Sequence, residues 1–218
     1  DVYKRQEFEK VYNHSLEGIV ITRYGHYTKT KVIKVLEASH PKPDQAGLEA
    51  TKILFDLAKN AKKDDHIVFL ISGGASSLLT LPLDGVSFEE KQRINTELLI
   101  SGAAIDKMNI VRRSLSQIKG GRLAQAIYPA QMTTYMISDI PGDDPAYIGS
   151  GPTIQAIGRN EDAISILDDY KIRISKQVEK VILSNTLPKL KIFPQHMLAT
   201  PMMALKSAAK MAEKQGYI

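Results

Sequence analysis

The amino-acid sequence predicts an α/β protein in which a doubly wound, mostly parallel sheet carries helices on both faces. Three observations predict it. Apolar runs of strand length alternate with segments of helical period along the chain. The run His66-Ile67-Val68-Phe69-Leu70-Ile71 is continuously apolar after its first residue, as expected of a strand covered on both faces. Two glycine-containing turns follow buried runs directly: Ser72-Gly73-Gly74-Ala75-Ser76-Ser77, and Ser138-Asp139-Ile140-Pro141-Gly142-Asp143-Asp144. Strand, crossover helix and strand repeated in this way build an open parallel sheet, with ligands outside the carboxyl ends of its strands.

Glu7 to His14 reads as the end of a helix, and Gly18 to Thr22 and Lys31 to Ala38 as strands. Asp44 caps a helix through about Asn60, whose apolar Leu48, Ile53, Leu54 and Leu57 share a face. After the strand at 66–71, Ser87-Phe88-Glu89-Glu90 has capping-box spacing and opens a helix to about Gly102. A second helix covers Ala104 to Ile118 and stops at Lys119-Gly120-Gly121, and Arg122 to Ile127 resumes helically before the strand Met132 to Ile137. Asn160 to Tyr170 and Ser175 to Asn185 are amphipathic helices and His196 to Ala199 is a further strand. Thr200-Pro201 supplies an N-cap and a first-turn proline for a helix to about Gln215.

Composition narrows the function classes. The chain has 218 residues, 43% hydrophobic and 24% charged, enough to bury a core. It has no cysteine, which removes disulfide frameworks and Cys-ligated zinc. No apolar run approaches the roughly 20 residues needed to cross a bilayer, and no signal-peptide architecture is present, so a cytoplasmic protein without membrane partners is the expectation. Net charge is +5, from 29 Lys and Arg against 24 Asp and Glu, which favours small anions. Basic residues are scattered and aromatics reach only 6%, so no stacking stripe for nucleic acid exists.

Three turns stand out as an anion site. Glycines at 73, 74, 120 and 121 let the backbone approach a ligand closely, so that amides converge on phosphate or carboxylate oxygens while Lys119, Arg112 and Arg122 neutralise charge. Asp139, Asp143 and Asp144 on the third turn suit a hard cation. Each segment also has a plainer reading. Gly73-Gly74 can be a tight turn with Ser76 and Ser77 as caps, Lys119 to Arg122 a helix stop, the aspartates turn formers, and His40-Pro41-Lys42-Pro43-Asp44 a rigid helix entry. A P-loop, a full dinucleotide fingerprint, G-x-S-x-G and H-E-x-x-H are all missing.

Taken together, Ile71 to Ser77, Met108-Asn109-Ile110-Val111-Arg112-Arg113 through Ile118 to Ala124, Ser138-Asp139 with Gly142-Asp143-Asp144, and Ile148-Gly149-Ser150-Gly151-Pro152-Thr153 resemble the glycerate 2-kinase family whose C-terminal part is the MOFRL domain. Thr22 to His26 and His40 to Asp44 match too, and the resemblance is strongest over 17–153. It implies a Rossmann-like N-terminal domain and ATP- and Mg2+-dependent phosphorylation of D-glycerate to 2-phosphoglycerate. It further implies Lys119 and Asp139 as catalytic and Asp139 with Asp143 as magnesium ligands. Ser72, Gly73, Gly74, Ser76, Ser77, Asn109, Arg112, Gly120, Gly121, Arg122, Ser150 and Gly151 would bind substrate or phosphate.

Two departures set further expectations. The family's Gly-Ala-Gly-Lys segment and its MOFRL domain have no counterpart here, so residues 1–218 are expected to be an incomplete N-terminal domain, inactive alone. A homodimer stays open. The alternatives are hydroxypyruvate reductase, a label the family often carries, and a non-catalytic sugar-acid or anion-binding module.

Overall fold

The computed structural model describes residues 2–12 and 15–217. After α1 (Val2–Val11), strand β1 (Gly18–Arg23) pairs in parallel with β2 (Ile33–Ala38), Gly18 facing Ile33 and Arg23 facing Ala38. The expected helix end at His14 lies outside the described residues. Helix α2 (Gln45–Lys59) starts where predicted because Asp44 is extended and its Oδ1 accepts from the Gly47 amide at 2.9 Å.

Strand β3 (His66–Ile71) is followed by the short helix α3 (Ala75–Leu78), then α4 (Phe88–Ile100), α5 (Ile105–Ser114) and α6 (Arg122–Ala126). Ser87 caps α4 through the Glu90 amide at 3.0 Å. The Glu90 carboxylate is instead taken by Arg93, at 2.7 and 2.8 Å, so half of the expected capping box forms. Helix α5 ends four residues before Ile118 because Leu115 to Gln117 turn aside to bridge residues 81–83: the Gln117 amide donates to Leu81 and the Leu83 amide to Leu115.

Strand β4 (Gln131–Ile137) lies between β3 and β5 (Gln195–Ala199), parallel to both. Helices α7 (Asn160–Asp169) and α8 (Lys176–Ser184) precede β5, and α9 (Pro201–Lys214) follows it, capped by Thr200 Oγ1 on the Met203 amide. The class is α/β with parallel strands, as expected, but the described strands form two sheets: β1-β2 and β3-β4-β5. A cleft of about 1450 Å³ is lined by both β1 and β3, which are not paired with each other.

Two apolar clusters frame the site. Leu48, Ile118, Leu123, Ile127 and Met132 pack around α2, α6 and β4. Ile94, Leu98, Val111, Leu115, Ile166 and Ile182 join α4, α5, α7 and α8. The second cluster is the wall against which the site's cations are set.

Candidate active site

Parallel neighbours end at the same edge. Because Ile71 of β3 faces Met136 of β4, the turns after these strands lie side by side. Asp139 packs so closely on Gly73 that a β-carbon there would come within 1.9 Å of Asp139 Oδ2. Gly74 is left-handed, φ 81°, and a β-carbon on it would lie 2.9 Å from His40 Nε2. The left-handed backbone is what requires glycine at 74. The amides of Gly73 and Gly74 have no acceptor among the described residues.

On the other side of this turn is a cavity of about 210 Å³. Gly74, Ser76, Ser77, Arg112 and Lys119 line it, all five of them sequence-predicted site residues, together with His40 and Lys91. Ile94, Leu98, Val111 and Leu115 make its apolar wall, and no Asp or Glu lines it. Lys119 is 2% exposed, and its Nζ donates to Ser76 O at 2.7 Å and to Ser76 Oγ at 3.2 Å. Burial, then the charges of Lys91 and Arg112, pushes its ammonium well below the ordinary lysine value. Arg112 donates from Nε to Asn95 Oδ1 at 2.7 Å, and burial lowers its pKa as well.

Ser76 ties four distant segments together. Its Oγ shares a 2.9 Å hydrogen bond with Ser150 Oγ, and Ser150 Oγ donates to Asn109 Oδ1 at 3.1 Å. Lys119, Ser76, Ser150 and Asn109 thus form one connected network. Ser150 is fully buried at φ 63°. Asn109 and Ser150 support the cavity from behind and do not line it.

Several expectations need correction. Gly120 and Gly121 were expected to offer amides to phosphate, yet those amides donate to Ser150 O at 3.1 Å and Gly151 O at 2.8 Å. Gly151 is accordingly a backbone partner of this turn. Arg122 was expected to neutralise ligand charge, but its guanidinium donates to the carbonyls of Arg113, Lys119 and Asn185 and to Asn185 Oδ1. Four of the five donors of this buried guanidinium are thus taken up within the protein. His40, read as part of a rigid helix entry, stands between the cavity and the larger cleft and lines both. Ser72 and Asp139 line the cleft side only.

The aspartate turn splits in two. Asp144 Oδ1 accepts from the Ala146 amide at 2.9 Å, the turn-forming role. Asp143 is left-handed at φ 54°, and its Oδ1 is buried without a partner. Such an orphaned carboxylate oxygen suits a hard cation. Among the described residues no group of three or more His, Asp or Glu converges on a metal position.

Sequence reasoning passed over Lys91. It sits in Glu89-Glu90-Lys91-Gln92, a stretch that reads as a solvated helix face. The signal was its spacing: Lys91, Ile94 and Leu98 fall at i, i+3 and i+7 on the buried face of α4.

Comparison with known proteins bears on this geometry. The domain of unknown function DUF4147 matches residues 3–183. The chain belongs to the DUF4147 family. D-glycerate 2-kinase of Thermotoga maritima is 37% identical over 202 residues, covering 92% of this chain and 48% of that protein. A relative from Agrobacterium vitis, provisionally named hydroxypyruvate reductase, is 42% identical over 205 residues, 92% of this chain and 53% of its own. The crystal structure of Thermotoga maritima glycerate kinase superposes with a TM-score of 0.86 at 37% identity, over 92% of this chain and 49% of that one. This DUF4147 chain therefore spans about half the length of the curated relatives it matches. Among its described residues, no helix is long and apolar enough to cross a membrane.

Proposed function

We propose that this DUF4147 chain carries the acid-binding part of a D-glycerate 2-kinase, which transfers the γ-phosphoryl group of ATP to the 2-hydroxyl of glycerate. One observation carries the reading: a cavity of about 210 Å³ is lined by Lys91, Arg112 and Lys119 and by no carboxylate. Buried cations without counter-charges call for an anionic ligand. The volume admits a three-carbon acid and is below the roughly 300 Å³ at which pockets for drug-sized ligands begin. The names of the relatives, glycerate kinase among them, point the same way.

Phosphoryl transfer depends mainly on positioning and charge neutralisation. Lys119, held by Ser76 O and Oγ, lines the cavity, where its ammonium would offset charge on the acid and on the incoming phosphoryl group. Arg112, oriented by Asn95, adds a second fixed positive charge. The apolar wall excludes water and strengthens both attractions. Gly74 and His40 line both cavity and cleft, so an acid in the cavity and a nucleotide phosphate over Gly73 would meet at this turn. Asp139 and Asp143 would hold Mg2+, which when bound offsets phosphate charge.

The name hydroxypyruvate reductase suggests nicotinamide chemistry, and Gly149-Ser150-Gly151-Pro152 does not complete a dinucleotide fingerprint. Calorimetric titration of the 218-residue chain with D-glycerate, Mg-ATP and NADH separates the readings. Glycerate and Mg-ATP binding with NADH inert supports the kinase. NADH binding without ATP binding rejects it, and glycerate binding alone marks an anion-binding module. Dimer formation, a cytoplasmic location and lack of turnover by the chain alone belong to the same proposal, to be checked by light scattering, fractionation and a coupled phosphorylation assay.

A further inference from the structure

Lys91 is the cation in the cavity that the network leaves unused. Its side chain is on the buried face of α4, 8% exposed, and its Nζ is buried with no hydrogen-bond partner. An ammonium has three donors to satisfy. Lysine ordinarily escapes burial by threading its stem past apolar groups to water, and here it does not. Of the two cations beside it, Lys119 donates twice to Ser76, and Arg112 donates to Asn95 through Nε. Every charged or titratable side chain facing Lys91 across the cavity, Lys119, Arg112 and His40, is a base.

We infer that Lys91 is the carboxylate anchor of the cavity: its ammonium pairs with the acid group of a small hydroxy acid and selects acids over neutral polyols. This rests on the reading of the cavity as a glycerate site. An isolated buried ammonium is among the least favourable groups a core can hold, and a ligand carboxylate supplies both the charge and the acceptors that the protein withholds. Burial pushes Lys91 down to about 7. Acid binding above pH 7 therefore draws a proton onto the lysine.

The test is calorimetry on the wild-type 218-residue chain, Lys91→Met and Lys91→Arg, titrated with D-glycerate, glycerol and inorganic phosphate. Titrations at pH 8 use two buffers of different ionisation enthalpy, with a thermal melt of each protein. Expected are a loss of glycerate affinity of about 10- to 100-fold in Lys91→Met, partial retention in Lys91→Arg, and equal glycerol binding throughout. Proton uptake on glycerate binding should be present in wild type and diminished in Lys91→Met, which should melt no lower than wild type.

Glycerate binding to Lys91→Met within threefold of wild type overturns the anchor and leaves the glycerate site standing. A Lys91→Met chain that melts well below wild type makes the lysine a structural element, and that also overturns it. Wild-type binding of phosphate but not glycerate overturns the glycerate reading, and the carboxylate assignment with it. A wild-type chain that binds neither anion does the same.

Discussion

Asp139 fills the space that a side chain at Gly73 would need, with a β-carbon there only 1.9 Å from Asp139 Oδ2. The contact arises because β3 and β4 are parallel neighbours whose ends are in register. It joins the glycine turn to the aspartate turn.

Gly73→Ala should therefore act on ligands more than on folding. Gly73 is not left-handed and Asp139 is exposed, so the carboxylate can swing away at a cost of less than about 1 kcal/mol. Loss of Mg2+-dependent nucleotide binding with the denaturation midpoint nearly unchanged is the expected result. Unaltered Mg2+ dependence would show that Asp139 does not need this position.

Lys91 contributes to the pH dependence in the same direction as Lys119, whose ammonium burial also disfavours. The pKa of Lys91 is about 7 in the fold against an ordinary 10.5, so between those values the unfolded chain binds a proton that the folded chain lacks. Stability should rise with pH through that window, and the full burden is present below pH 7. Lys91→Met should be more stable than wild type by on the order of 1–3 kcal/mol at pH 6, with the difference shrinking toward pH 10. Urea melts of both proteins from pH 6 to 10 check the sign; a difference growing with pH would reverse the argument.

Ser150→Ala removes the middle of the network. Ser76 Oγ and Asn109 Oδ1 lose their shared partner in a buried place, at about 1–3 kcal/mol. Ser150→Gly loses the same bonds but relieves the left-handed φ of 63°, so it should be the milder variant. Chemical denaturation of the two side by side gives the order.

Arg122→Lys tests the corrected role of Arg122. A lysine cannot reproduce the fork to three carbonyls and Asn185 Oδ1, and a loss of about 3 kcal/mol is expected. Glycerate affinity of the folded protein should stay within threefold of wild type. A large affinity loss at unchanged stability would return Arg122 to the ligand.

Local order was legible from the chain alone. The run 66–71, the caps at Asp44, Ser87 and Thr200, and the helices they open needed only short-range chemistry, because periodicity and capping act within a turn or two. The glycine turns after β3 and β4 were readable for the same reason, as was the α/β class. What the glycines and cations face depends largely on partners distant in the sequence, Lys119 on Ser76 and Arg122 on Asn185 among them. Packing alone sent the Gly120 and Gly121 amides to Ser150 and Gly151, closed Arg122 on carbonyls, and separated the described strands into two sheets. It also turned Lys91, outwardly a solvated residue of an acidic stretch, into a buried cation, because the rotation of α4 against α5 and α7 is set by the fit of the whole core and not by any local segment.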